Sequence, residues 1–312
     1  MSIAQELSEL VGETPLLQLN KFVNHLKLPV QILAKLEAFN PGGSAKDRPA
    51  LAMIKAAKAA GILLPGGTII EPTSGNMGIA LAYIGTGRGY RVILTMPDSM
   101  SKERRQLLAA LGAELVLTPG ALGMKGAMDK AVELQKTIAG SVIINQFDNP
   151  ANPEAHYKTT GPEIWQQGDG SVDIFVAGVG TGGTISGVAK FLKEQNTAVQ
   201  VVAVEPAESP LLSGGVAASH GIAGIGANFV PGNFKREFVD RVLPVETAKA
   251  METTRLLAQT EGILSGISAG AALAAAVILA KEEKNAGKVI VVLLPDTGER
   301  YLSVGIFDGE SA

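Results

Sequence analysis

The 312-residue chain contains no cysteine, carries little net charge and has no long apolar run. Without cysteine there are no disulfides, no thiolate metal sites and no thiol nucleophile, and no metal is expected in the site. A net charge of −3 argues against nucleic-acid binding, which needs a basic footprint. No stretch approaches the roughly 20 apolar residues of a membrane span. The most apolar run, "AALAAAVILA" (271–280), ends in "KEEK" as a buried helix would. The N-terminus carries acids early and shows no basic segment leading into an apolar one, so no signal peptide is expected. The expectation is a cytoplasmic protein with no nucleic-acid or membrane partner. What is present is material for a core: 46% of residues are hydrophobic and 18% charged, enough for one large or two ordinary domains and contrary to disorder.

Aliphatic runs alternate with longer Ala- and Leu-rich stretches of helical spacing. "VQILAKLE" (30–37), "GTIIEPTSG", "RVILTMP", "ELVLT", "SVIINQF", "DIFVAGVG", "VQVVAVEP" and "KVIVVLLPD" read as strands. Between them lie helix patterns such as 49–62, with Pro49 suited to a start and Gly61 to an end, and "SKERRQLLAALG", with Ser101 as a cap. Such alternation predicts an α/β fold of parallel sheets covered by helices on both faces. The Pro- and Asn-rich segment "NPANPEAHYKTTGPE" (149–163) is expected to cross between two α/β domains. No low-complexity segment or solenoid repeat interrupts the pattern.

Three short segments carry chemistry. The strand "DIFVAGV" runs into "GTGGT" (180–184) and then a helix. Closely spaced glycines let the backbone approach an anion, and a helix N-terminus points N–H groups at it. Thr181 and Thr184 add hydroxyls, so the loop reads as a phosphate site. It lacks the GK[ST] of a nucleotide-triphosphate loop. It fits the dinucleotide pattern GxGxxG only when counted from Gly178, which leaves a nicotinamide enzyme open. A second strand-to-helix loop, "EPTSGNMG" (71–78), offers Thr73, Ser74 and Asn76 with glycines on either side of Asn76. It suits a carboxylate, or serves as an ordinary helix cap. The third segment, "NPGGSAKDR" (40–48), presents Lys46 after a Gly-Gly-Ser turn. Alone Lys46 is a surface lysine, and Asp47 with Arg48 reads as a local ion pair at the start of a helix. Together, a phosphate cradle, a carboxylate cradle and an amine point to pyridoxal 5′-phosphate acting on an amino acid, since its aldehyde condenses with lysine. His156, Tyr157 and Trp165 are expected to pack at the domain junction, and Met96, Met100 and Met124 in core or loop.

From "GETPLLQL" near residue 12 to "PDTGERYLS" near residue 303, the chain resembles the cysteine synthases (O-acetylserine sulfhydrylases). These belong to the fold-type II pyridoxal-phosphate enzymes, with cystathionine β-synthase and the tryptophan synthase β chain. The motifs "NPGGSAKDR", "EPTSGN", "NPANPEAHYKTTGPEIW", "GVGTGGTISGV" and "SGISAGAA" stand in the family's order. The resemblance implies two three-layer α/β domains with mostly parallel sheets. The smaller and mobile one, 40–148, would carry the substrate loop. The larger, 1–39 and 149–312, would carry the phosphate loop, with the cofactor in the cleft between them. It implies that Lys46 binds the cofactor covalently and then serves as base and acid, and that Gly180, Thr181, Gly182, Gly183 and Thr184 hold the phosphate. Asn76 would donate to the 3′-oxygen, and Ser268 would meet the pyridine nitrogen as a neutral partner, which suits β-elimination. Thr73, Ser74, Gly75, Met77 and Gln146 would bind the substrate carboxylate, with loop 73–77 closing over it. The implied reaction is β-replacement, making L-cysteine from O-acetyl-L-serine and sulfide through an α-aminoacrylate, by a homodimer that serine acetyltransferase could bind. A bacterial-type cystathionine β-synthase using homocysteine and a serine or threonine dehydratase are the alternatives. Two departures bear on substrate choice: Met77 stands where the family has threonine, and Asn228 where it has glycine.

Overall fold

The structure, a computed structural model, describes residues 3–73 and 75–308. Its strands are β1 (Leu16–Gln18), β2 (Gln31–Leu36), β3 (Thr68–Pro72), β4 (Arg91–Pro97), β5 (Glu114–Thr118), β6 (Ser141–Ile143), β7 (Ile174–Gly178), β8 (Gln200–Pro206), β9 (Arg241–Val245) and β10 (Val289–Leu294). The chain divides into two units, Met1–Val11 with Lys46–Asn152, and Gly12–Ala45 with Pro153–Ala312. Residues 40–45 thus group with the larger unit and the first eleven with the smaller, the reverse of the expected assignment. Arg88 explains the grouping of the first eleven: its guanidinium pairs with Glu6 and donates to Ser8 Oγ.

In the smaller unit the strands run in the order β5-β4-β3-β6, all parallel. Consecutive strand residues point to opposite faces, and here both faces are buried. Ile69, Val92 and Leu94 join one apolar cluster with Met53, Leu81 and Ile84. Their neighbours Ile70 and Ile93 join another with Ala131. A parallel sheet covered on both sides requires such near-continuous apolar strands. The expected strand over 141–147 pairs only as far as Ile143, because Asn145 takes a left-handed φ of 56°.

The larger unit repeats the plan with six strands in the order β1-β2-β10-β7-β8-β9. Only β1 is antiparallel, pairing Leu16 with Lys35 on β2. Ile174, Val202 and Ile290 face one cluster, and their chain neighbours Phe175, Val201 and Val291 face the other. The apolar run around 271–280 is a buried helix, Ile267–Ala280. β1, β9 and the helices Asn20–Leu26 and Thr247–Glu261 escaped the sequence reading. The three-residue β1 is largely exposed and has no periodicity to read.

The segment 149–163 carries the chain from one unit to the other, between Asn152 and Pro153, and it is helical, forming Ala151–Lys158 and the start of Thr160–Gln167. Asn149 Oδ1 accepts the Ala151 N–H at 3.0 Å, and Pro153 falls in the first turn, where its missing N–H costs nothing. Composition that marks a loop here marks a helix start. Among the described residues no helix is long and apolar enough to cross a membrane.

Candidate active site

In the smaller unit Lys46 precedes the helix Asp47–Ala59 and is half-buried. Its carbonyl accepts the Ala50 N–H at 3.0 Å, which fixes its backbone against the first turn. Asp47 reaches beyond its sequence neighbours: Tyr83 Oη donates to its Oδ2 at 3.0 Å. Burial, and then the Asp47 carboxylate, push the Tyr83 phenol above its ordinary range. Tyr83 lies on the helix Asn76–Gly87, so this bond ties the helix that follows Lys46 to the helix that opens with Asn76.

The loop expected to take a carboxylate continues β3. The Thr73 N–H donates to the Thr95 carbonyl at 3.1 Å, and Thr73 Oγ1 accepts the Gly75 N–H at 3.3 Å. Ser74 lies outside the described residues. Gly75 stands at the helix N-cap with open space where a Cβ would be, and Asn76 is half-buried. Met77 differs from expectation. Its side chain is 1% exposed and packs in the apolar core with Met53, Leu81 and Met96. The side chain there fills volume in the core. Gln146 is buried, and it is held by Glu71, a residue the sequence reading passed over. Glu71 Oε2 accepts the Asn145 N–H at 2.8 Å and Oε1 the Gln146 N–H at 3.2 Å. Burial pushes this carboxyl up to about 7 against the pull of those N–H groups.

In the larger unit the loop after β7 enters the helix Gly183–Gln195. Two of its glycines are required by geometry. A Cβ on Gly180 would lie 2.3 Å from the Gly224 carbonyl oxygen. Gly182 has φ +80°, and its Cβ would lie 2.7 Å from the Phe234 backbone. Thr181 is buried. The Thr184 hydroxyl lies 3.2 Å from His156 Nε2, and His156 Nδ1 lies 2.9 Å from Thr160 Oγ1. The loop therefore has a buried imidazole behind one hydroxyl, which sequence reasoning had treated as junction packing. Tyr157 packs edge-on against Phe191 and Trp165 against the core, both within this unit. Ser268, buried in the first turn of Ile267–Ala280, belongs to the same neighbourhood: a Cβ on Gly224 would come within 3.6 Å of its hydroxyl.

Asn228 has a φ of 63°, a left-handed conformation that asparagine tolerates and glycine prefers. Its Oδ1 accepts from Ser209 Oγ at 2.8 Å, and it lines a small cavity with Gly180 and Glu205. Met96 and Met100 pack in or against the core, while Met124 is exposed.

These residues fit pyridoxal phosphate. A glycine cradle without room for side chains, a helix N-terminus and threonine hydroxyls suit a phosphate dianion. Ser268 offers a neutral hydroxyl to a ring nitrogen, and Lys46 offers an amine.

The chain matches the family described as pyridoxal-phosphate dependent enzyme over residues 7–296. It is 51% identical to a cysteine synthase of Staphylococcus aureus (strain N315), over 96% of each chain. Among solved structures it superposes on the cysteine synthase of Entamoeba histolytica with a TM-score of 0.96 at 43% identity, covering 100% of this chain and 93% of that one. An O-ureido-L-serine synthase superposes with a TM-score of 0.94 at 44% identity, covering 99% and 97%. The family match selects pyridoxal phosphate over the dinucleotide alternative, and the chain belongs to the pyridoxal-phosphate dependent enzyme family.

Proposed function

We propose that this enzyme makes L-cysteine from O-acetyl-L-serine and sulfide by β-replacement. The observation that carries the reading is full-length identity of 51% to a cysteine synthase, together with a phosphate cradle closed to any side chain at Gly180. Gly180–Thr184 would hold the cofactor phosphate, Ser268 the ring nitrogen and Asn76 the 3′-oxygen. Thr73, Ser74, Gly75 and Gln146 would bind the substrate carboxylate, with the Met77 contribution confined to its backbone. When bound, pyridoxal phosphate supplies a ring that stabilises negative charge at the amino-acid α-carbon. Lys46 Nζ takes the α-proton, acetate departs from the β-carbon, and sulfide adds there. The same Nζ then returns a proton to the α-carbon. Gln146 and the 73–77 loop orient the carboxylate and exclude water, which would otherwise divert the reaction to deamination.

The reading includes a cytoplasmic homodimer with serine acetyltransferase as a protein partner, all carried by resemblance. The test is a product assay with O-acetylserine and either sulfide or homocysteine, beside the absorbance spectrum on adding O-acetylserine. Cysteine formed with sulfide, and a spectral shift, support the proposal. Faster cystathionine formation, or pyruvate as the main product, overturns it in favour of the cystathionine β-synthase or dehydratase reading.

A further inference from the structure

Where β6 leaves the sheet, a side chain takes over from the strand ladder. The register pairs Thr68 with Ser141, Ile69 with Val142 and Ile70 with Ile143, and the Ile144 N–H still reaches the Ile70 carbonyl at 3.2 Å. One residue on, Asn145 turns into the left-handed region at φ 56°, and backbone pairing stops. Two successive N–H groups, of Asn145 and Gln146, then point into protein interior. Glu71, the next residue of β3, receives them one on each carboxylate oxygen, at 2.8 and 3.2 Å. The far side of the turn is fixed by asparagines: Asn152 Nδ2 donates to the Gln146 carbonyl at 2.8 Å, and Asn149 Nδ2 to the Ile144 carbonyl at 2.8 Å.

The same strand carries the loop's other end. Thr73 follows the last residue of β3, two positions after Glu71, with its N–H still bonded to β4 at Thr95. Glu71 therefore stands between the start of this loop and the end of β6. A neutral acceptor would satisfy a fold that needed only one N–H bonded. A carboxylate at 1% exposure carries a desolvation cost that raises it to about 7, yet its two oxygens accept one backbone N–H each.

We propose that Glu71 is the positioning residue of the substrate-carboxylate site, clamping the Gln146 backbone where β6 ends, beside the loop that begins at Thr73. This rests on the reading that Gln146 binds the substrate carboxylate, and the test separates the two. Glu71→Gln preserves volume but sets an NH2 against an N–H donor. Steady-state constants are measured for the wild type, Glu71→Gln, Gln146→Ala and the double variant. Dissociation constants come from absorbance titration with O-acetylserine in the absence of sulfide. Cofactor content and circular dichroism accompany each preparation.

Each single variant is expected to raise the O-acetylserine KM and dissociation constant about tenfold, the loss of one hydrogen bond to a charged group. kcat and cofactor content should stay near wild type. The double variant should be no worse than the weaker-binding single one, because the two act as one unit. A wild-type KM for Glu71→Gln beside a raised KM for Gln146→Ala overturns the positioning role and leaves the Gln146 reading standing. Additive effects in the double variant also overturn the positioning role. No change in either single variant removes the Gln146 reading and the positioning role with it. If Glu71→Gln does not fold, Glu71→Asp keeps the charge and withdraws it by one methylene. A KM raised about threefold or more at unchanged kcat supports the clamp, and a wild-type KM overturns it.

Discussion

Lys46 and Met77 show how differently two motif residues serve. Lys46 is half-buried ahead of its helix, and its helical contact is made by the backbone. Lys46→Ala should abolish cysteine formation while leaving the thermal midpoint within a few degrees, since a polar residue near a helix start contributes about 1 kcal/mol or less. Cysteine production near the wild-type rate would remove the central assignment. Met77 presents the opposite case. Its side chain is in the core, so Met77→Thr creates a cavity and buries a hydroxyl, with an expected loss of about 2–4 kcal/mol. The KM for O-acetylserine should not move. Urea denaturation and steady-state kinetics of the one variant check both halves. A lowered KM at unchanged stability would return Met77 to the substrate site.

At the scale of elements, function depends on what happens where strands end. The Gly180–Thr184 turn needs a left-handed residue at 182 and has Phe234 backbone 2.7 Å from any added Cβ. Gly182→Ala should therefore shift the loop, strain alone costing about 1–2 kcal/mol. Pyridoxal phosphate retained per chain after dialysis should fall well below the wild-type level, and full retention would mean that the loop does not hold the phosphate. The β3–β6 junction makes a prediction about pH. Burial raises Glu71 from 4.5 to about 7, so the folded chain holds a proton that the unfolded chain has released between those values. Folding takes up that proton, and stability is fullest below pH 4.5 and declines as pH rises through 7. Relative to Glu71→Gln, which cannot titrate, the wild type should lose roughly 2–3 kcal/mol between pH 5 and 8. Urea midpoints at those two values measure it, and parallel behaviour of the two proteins would mean that Glu71 does not titrate in this range.

For the whole molecule, the prediction is an assembly. The proposed homodimer should sediment at twice the 32.2 kDa of the chain, with one pyridoxal phosphate per chain. A fully active species of 32.2 kDa would set the dimer aside. In the larger unit a charge lies inside the fold. Lys35 lies within an apolar strand pattern and is fully buried. It bonds the Thr14 carbonyl at 2.6 Å and Gln167 Oε1 at 2.8 Å, and pairs with Glu163 at 2.7 Å. That network joins residues more than a hundred positions apart and rests on the short helix Thr160–Gln167, whose first residues belong to the Pro- and Asn-rich segment 149–163.

The sequence by itself determined the layered α/β plan, the two Gly-rich loops, the amine at Lys46 and the cofactor. Each of these is local: strand and helix periods, turn chemistry and contiguous motifs are properties of a dozen residues or fewer. It could not determine which face of a helix Met77 takes, that Asn145 ends β6 early, that Asn228 answers a left-handed backbone, or that Glu71 clamps Gln146. Those depend on register and on backbone angles set by residues far away in the chain. Glu71 is 75 positions from Gln146, and only the parallel pairing of β3 with β6 brings its carboxylate to the two N–H groups that strand pairing leaves behind.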